Sequence, residues 1–186
     1  MAISEGKLLL LKEGNQVIII LDTSAFIAGF EPLSIQNTQY TVPAVRNELI
    51  HNTLPWIRFE AAVGNGKLRI KAPIKEVIRR IRAISKKTGD LRFLSEADKQ
   101  VLALALELQD LGQRLQIVTD DYSIQNVANH MGIKFASLTT LGIRHRFKWM
   151  LYCPACHRKY PADYEPKLCR ICETELRRKP IKKMTV

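Results

Sequence analysis

Apolar positions along the chain follow two periods that take turns. Val17-Ile18-Ile19-Ile20-Leu21 is an unbroken, largely β-branched run, the pattern of a strand buried on both faces in the middle of a parallel sheet. It stops at Asp22-Thr23-Ser24, and Ala25-Phe26-Ile27-Ala28 then reads as the start of a helix. Tyr40-Thr41-Val42 is a short strand candidate, and Pro43 fits the first turn of a helix continued over residues 44–50. Residues 66–72 alternate as a strand does, and Pro73 opens a helix over 74–87. That helix sets Ile74, Val77, Ile78, Ile81 and Ile84 on one side, and Lys75, Arg79, Arg80, Arg82, Lys86 and Lys87 on the other. Ser95-Glu96-Ala97-Asp98 has the form of a capping box. The helix it heads is apolar enough over 101–111 to be deeply buried, and Gly112 ends it. A strand over 115–119, a helix over 122–130 and a short strand over 133–136 complete the series.

Strands that alternate with helices predict an α/β fold, a three-layer sandwich around a mostly parallel sheet. The pattern changes near 142–150, where Arg144-His145-Arg146-Phe147-Lys148-Trp149 is basic and aromatic. We divide the chain into a main domain over 1–143, a small module over 144–176, and a basic tail over 177–186 that contains no acid and is expected to have little order.

The length of 186 residues allows one ordinary domain and a small appendage. No stretch is long and apolar enough to span a bilayer. Residues 1–14 lack the pattern of a secretory signal, so an intracellular, cytoplasmic protein with no membrane partner is expected. The formal net charge is +11, which favours a polyanionic partner, nucleic acid first. The charge is uneven. Residues 144–186 hold 12 Lys/Arg against 4 Asp/Glu, whereas residues 1–143 hold 17 against 14. An acidic site can therefore coexist with a basic grip elsewhere.

Four acids occupy telling positions. Asp22 ends the first strand, Glu48 lies in the helix after Pro43, Asp98 sits in the first turn of the buried helix, and Asp121, with Asp120 beside it, follows the fourth strand. Open α/β sheets place their sites at this edge. Carboxylates packed together repel unless a cation neutralises them, and hard ions such as Mg²⁺ or Mn²⁺ take oxygen ligands. Such ions polarise a phosphate, activate water and stabilise a leaving oxygen. Each acid also has a plainer reading as a helix cap, turn or solvated residue.

All four cysteines fall in two CxxC pairs, Cys153-Pro-Ala-Cys156 and Cys169-Arg-Ile-Cys172, 12 residues apart. Two such turns complete a tetrahedral thiolate site, so one structural Zn²⁺ is expected. An iron–sulfur cluster uses the same ligands, and disulfides suit a more oxidising compartment. Some 35 residues cannot build a sufficient core, so the metal would supply folding energy. His157 is expected on the surface. Arg144, Arg146, Lys148, Arg158, Lys159, Lys167 and Arg170 surround the cysteines, with Trp149, Tyr152, Tyr160 and Tyr164 nearby. Cations for phosphates and aromatics for bases predict RNA binding, although the aromatics also suit a small core.

The ordered motifs Asp22-Thr23-Ser24, Pro43-x4-Glu48, Leu94-Ser95-x-x-Asp98 and Val118-Thr119-Asp120-Asp121 resemble those of the PIN-domain nucleases over residues 16–140. The resemblance implies a PIN-like sandwich and metal-dependent cleavage of single-stranded RNA. It places Asp22, Glu48, Asp98 and Asp121 as ligands of Mn²⁺ or Mg²⁺, ranks Asp121 above Asp120, and makes Ser24 and Thr119 supporting hydroxyls. With the zinc ribbon and Asp121-Tyr122-x-x-Gln125-Asn126-Val127, the whole chain is similar to the archaeal Nin-one-binding (Nob-type) endonucleases. That likeness implies an endoribonuclease that processes the 3′ end of precursor small-subunit (16S) ribosomal RNA within a nascent small ribosomal subunit. It also implies a KH-domain assembly factor as partner. The alternatives are a catalytically silent RNA-binding assembly factor and another PIN ribonuclease that acts on messenger RNA. Arg79, Arg80 and Lys86 are expected to extend the RNA path.

Overall fold

The computed structural model describes residues 17–139 and 145–185, and only the backbone of 145–147 and 182–185. The signal-peptide reading of residues 1–14, and Arg144, lie outside the described residues.

Five strands, β1 (Ile18–Leu21), β2 (Gln39–Thr41), β3 (Leu68–Ile70), β4 (Leu115–Val118) and β5 (Lys134–Ala136), form one sheet in the order β3-β2-β1-β4-β5. Every pairing is parallel. The apolar run of β1 is thus central, and all four of its residues are buried. The strand order reverses at β1 and β4. Right-handed connections then send helices to opposite faces of the sheet, which makes the expected three layers.

The helices are α1 (Thr23–Ile27), α2 (Pro43–Glu48), α3 (Leu54–Gly64), α4 (Lys75–Thr88), α5 (Glu96–Asp110) and α6 (Tyr122–His130). Helix α5 is buried along most of its length, from Ala97 to Leu108, because it packs on α4, α2 and the sheet. Its capping box forms as expected: Ser95 Oγ accepts from the Asp98 N–H at 3.1 Å, and the Asp98 carboxylate accepts from the Ser95 N–H at 2.6 Å. Helix α4 begins two residues later than the Pro73 signal, because Ile74 is extended and its N–H donates to Glu107 at 3.0 Å. Helix α3 has no counterpart in the sequence reading. Its mixed sequence hides a core residue, Phe59, whose ring meets Phe26 edge-on at 5.3 Å. No helix among the described residues is long and apolar enough to cross a membrane.

A second sheet, in the order β7-β6-β8, contains β6 (His145–Tyr152), β7 (Lys159–Tyr160) and β8 (Arg177–Thr185), all antiparallel. This corrects the expectation of an unstructured tail. Residues 177–185 pair with β6 along its whole length, with an irregularity at Lys148/Trp149. The strand was hidden because lysine and arginine replace the usual apolar alternation. Its partner supplies the hydrophobic side through Trp149, half-buried, and Leu151, buried.

Candidate functional site

Strands β1 and β4 end side by side, with Leu21 opposite Val118. Asp22 and Thr119 are therefore the first residues beyond the sheet, in the crevice where the strand order reverses. Asp22 caps α1 and is 3% exposed. Its Oδ2 accepts from Ser24 Oγ at 2.7 Å, Thr119 Oγ1 at 2.9 Å and the Ser24 N–H at 3.3 Å. The same hydroxyls accept in turn: Ser24 Oγ from the Asp120 N–H at 2.9 Å, and Thr119 Oγ1 from the Asp121 N–H at 3.1 Å. Two small side chains thus stitch the turn after β4 to Asp22. Asp22 Oδ1 is buried and has no hydrogen-bond partner. Burial pushes the Asp22 carboxyl up from its ordinary value, against the pull of the Ser24 and Thr119 bonds.

Asp98 reaches the same place from α5. Its carboxyl is raised to about 7, first by burial and then by the charges of Asp22 and Asp121, while the Ser95 bonds oppose the rise. Its capping reading is thus realised, while Asp22 and Asp121 are near enough for their charges to act on its carboxyl. Asp121 caps α6, where its Oδ1 accepts from the N–H groups of Ser123 at 2.5 Å and Ile124 at 3.2 Å. Glu48, the last residue of α2, is exposed and accepts from Thr23 Oγ1 at 2.6 Å, which sets it beside the Asp22 turn.

Asp120 faces elsewhere. Its carboxylate accepts from Ser137 Oγ, from the N–H groups of Leu138 and Thr139, and from Thr139 Oγ1. It anchors the segment after β5 through its side chain and the Ser24 contact through its N–H.

No three of these carboxylates, among the described residues, bring ligand atoms within 4.8 Å of one another, whereas the four cysteines do. The donor set still fits a hard divalent cation. Mg²⁺ takes one or two carboxylates directly and keeps several waters, so wider spacing suits it. The unpartnered Asp22 oxygen also points to a missing positive partner.

In the small module, Cys153 and Cys172 sulfurs lie 3.4 Å apart, and Cys156 and Cys169 sulfurs 3.5 Å. A tetrahedral site with zinc–sulfur bonds of about 2.3 Å has edges of about 3.8 Å, so this cluster is close to metal-ready. The Cys156 N–H donates to Cys153 Sγ at 3.4 Å. Despite some desolvation, the Tyr160 hydroxyl and the N–H groups of Cys172 and Ile171 bring the Cys169 thiol down to about 6. Tyr160 is buried, with its hydroxyl 3.0 Å from Cys169 Sγ and its ring against Tyr164 at 4.5 Å. It belongs to the core of the module, not to a stacking surface. His157 is exposed.

Lys148, Arg158, Lys159, Lys167 and Arg170 are all exposed, while only the backbone of Arg146 is described. The basic face of α4 is different. Arg79 pairs with Glu76 at 2.6 Å, Arg80 with Asp110 at 2.5 Å, Arg82 with Glu96 at 3.5 Å and Lys86 with Glu165 at 3.7 Å. Its charge is largely answered within the protein, which weakens the expected extension of an RNA path along Arg79, Arg80 and Lys86. Asp90, which no sequence motif marks, is fully buried and pairs with Arg178 of β8 at 3.2 Å.

Residues 19–108 match the family model described as the PIN domain of ribonuclease. That span contains Asp22, Glu48 and Asp98. The chain is similar to Endoribonuclease Nob1 of Methanocaldococcus jannaschii, with 37% identity across 92% of this chain and 82% of that protein. Endoribonuclease Nob1 of Methanothermobacter thermautotrophicus is 38% identical across 86% of this chain and 91% of its own length. A protein named Ribonuclease VapC1, from Thermoplasma acidophilum, is 34% identical across 87% of this chain and 78% of its own.

Proposed function

From the premise that this chain belongs to the Nob1 endoribonucleases of the PIN-domain family, we propose that it processes the 3′ end of precursor small-subunit (16S) ribosomal RNA. The activity is endonucleolytic. The substrate would be met in a nascent small ribosomal subunit in the cytoplasm, with a KH-domain assembly factor as partner. The observation that carries the reading is Asp22: a buried carboxylate with one unpartnered oxygen, close enough to Asp98 that its charge disfavours ionisation there.

Asp22, Glu48, Asp98 and Asp121 would hold one or two Mn²⁺ or Mg²⁺ ions. Bound there, a hard divalent ion would polarise the scissile phosphate and offset charge on the departing oxygen. The residues of the chain prepare the place. Ser24 and Thr119 fix the Asp22 carboxylate through Oδ2 and leave Oδ1 without a hydrogen-bond partner. The N-cap bonds of Asp121 hold its carboxylate at the head of α6 through Oδ1. Asp98, whose carboxyl is raised to about 7 by burial and by the charges of Asp22 and Asp121, is a group that a bound cation would return to its ionised form. Hydrolysis forms a phosphorus–oxygen bond to water and breaks the bond to the 3′ oxygen, giving 3′-hydroxyl and 5′-phosphate ends. The cysteine module does no chemistry. With one Zn²⁺ on Cys153, Cys156, Cys169 and Cys172, it would offer Lys148, Arg158, Lys159, Lys167 and Arg170, and the neighbouring Arg144 and Arg146, to RNA phosphates.

The similarity to a protein named Ribonuclease VapC1 supports a second reading, another PIN ribonuclease, whose substrate we take to be messenger RNA. The deciding experiment uses RNA spanning the small-subunit 3′ end and its precursor extension, a messenger RNA of equal length, and Mn²⁺ or Mg²⁺. Cleavage of the first at one position, lost in Asp22→Asn and without divalent ions, is the expected result. Preferential cleavage of the messenger would favour the second reading. Binding without cleavage under every metal would indicate a silent assembly factor.

A further inference from the structure

We propose that Arg178 is a positioning residue: it latches the cysteine-bearing sheet onto the nuclease domain beside the carboxylate cluster, so that the distance from RNA grip to cutting site is fixed. Asp90 is fully buried in the turn between α4 and α5, and an anion there needs compensation. Its Oδ2 accepts from Asn126 Nδ2 at 2.7 Å. Its Oδ1 accepts from Arg178 Nη1 at 3.2 Å, across 88 positions of sequence.

The guanidinium is also held from its faces. It lies 3.8 Å from the Phe93 ring centroid on the nuclease side and 4.4 Å from that of Trp149 on β6. Such cation–π contacts gain strength where water is displaced. The backbones approach closely as well, since a Cβ on Gly89 would lie 2.8 Å from Trp149 Cβ. Arg92 donates to the Glu165 carbonyl at 2.9 Å and completes the seam.

Strand alternation separates two roles on β8. Arg178 faces the nuclease domain, while Arg177 and Lys179 belong to the opposite face, where Lys179 lies 5.1 Å from the Tyr152 ring. The inward contact reaches the site by two routes. Asp90 precedes the Ser95–Asp98 cap by five residues, and Asn126 lies in the helix that Asp121 caps. Arg178 itself feels the charge of Asp121.

The test uses the zinc-loaded full chain as wild type, Arg178→Gln and Arg178→Lys. Backbone ¹⁵N relaxation gives a rotational correlation time for each part, and the wild type should show one common value. Arg178→Gln should show two, with the docked fraction reduced about tenfold or more. Arg178→Lys should fall between, because an ammonium keeps the charge and loses the planar stack. Unchanged zinc content and unchanged shifts inside each part would show that both remain folded. A second arm rests on the nuclease reading. On RNA long enough to reach both parts, Arg178→Gln should lower kcat/KM about tenfold more than on a short single strand. Separate tumbling of the wild type, or common tumbling of Arg178→Gln, would overturn the latch. If the wild type cuts neither RNA, the nuclease reading fails while the relaxation result still judges the latch.

Discussion

The Thr119 hydroxyl donates to Asp22 Oδ2 at 2.9 Å across 97 positions of sequence while accepting the Asp121 N–H at 3.1 Å. One small side chain therefore holds the Asp22 carboxylate and the Asp121 backbone, at two of the four proposed ligands. Thr119→Val keeps the shape and removes both bonds. Because outer partners of metal ligands typically contribute 10–100-fold to affinity or activity, the half-saturating Mn²⁺ concentration for cleavage should rise by about that factor. A metal titration of the initial rate checks this, and an unchanged midpoint would show that Asp22 is oriented without Thr119.

Asp22→Asn separates stability from activity. The native carboxylate is buried with one oxygen unpartnered, and burial raises its pKa. Removing that charge in protein free of catalytic ions should stabilise the fold by about 1–2 kcal/mol, while cleavage falls below detection. Parallel thermal melts and cleavage assays read both. A loss of both would mean that the carboxylate serves the fold.

The fold was legible where one period dominated. β1, the capped α5 and the β4–α6 passage each announce themselves by an apolar run or a cap, and the structure forms them where expected. What escaped depended on partners distant in sequence. Helix α3 looks irregular until Phe26 gives Phe59 a place to pack, and β8 looks like a loose tail until β6 pairs with it. The carboxylates could be named because strand ends and helix caps are local features. The burial of Asp90 and its pairing with Arg178 could not, since Gly-Asp after a helix is also an ordinary turn and lysine-rich strands are rare.

Asp98 predicts a pH response with a definite sign. Its carboxyl is raised from 3.8 to about 7 in the folded protein. The neutral form is thus favoured by folding. Its contribution is fully present below the ordinary value and is lost as pH rises through about 7, on the order of 4 kcal/mol at most. In protein with zinc but no other divalent ion, stability should fall between pH 5.5 and 7.5, and Mg²⁺ should flatten that slope. The ¹³C shift of the Asp98 carboxyl, followed against pH, should have a midpoint near 7 that moves down with Mg²⁺. A midpoint near the ordinary carboxylate value would show that burial and the neighbouring carboxylates leave Asp98 unperturbed.

Replacing Cys169 by Ser removes a sulfur that the structure places 3.5 Å from Cys156 and 3.0 Å from the Tyr160 hydroxyl. The module's buried apolar group is small, consisting of Leu151, Tyr160 and two of the cysteines. Structural zinc is worth about 10–16 kcal/mol in small domains, far more than that core can replace. Cys169→Ser should lose bound zinc and the dispersed amide signals of residues 151–176, while the parallel sheet stays folded. Elemental analysis and an amide spectrum check it. Retention of that dispersion without zinc would show that β6 and β8 hold the module by themselves.

Gly89 offers a test of the seam that leaves every charge in place. It closes α4 with φ +85°, a conformation that L side chains rarely adopt, and its missing Cβ makes room for Trp149 and Ala162. Gly89→Ala therefore acts twice. The left-handed residue costs roughly 1 kcal/mol within the nuclease domain. The new methyl, 2.8 Å from Trp149 Cβ and 3.2 Å from its carbonyl oxygen, also requires the β6 strand to move away. If Trp149 and Arg178 pack as one unit, pushing back the first must lengthen the Asp90 contact of the second. Gly89→Ala should then shift the indole N–H resonance of Trp149 and the amide of Asp90 together, with melting lowered by several degrees. A fall in melting with neither resonance moved would assign the whole effect to the helix end and leave the seam intact.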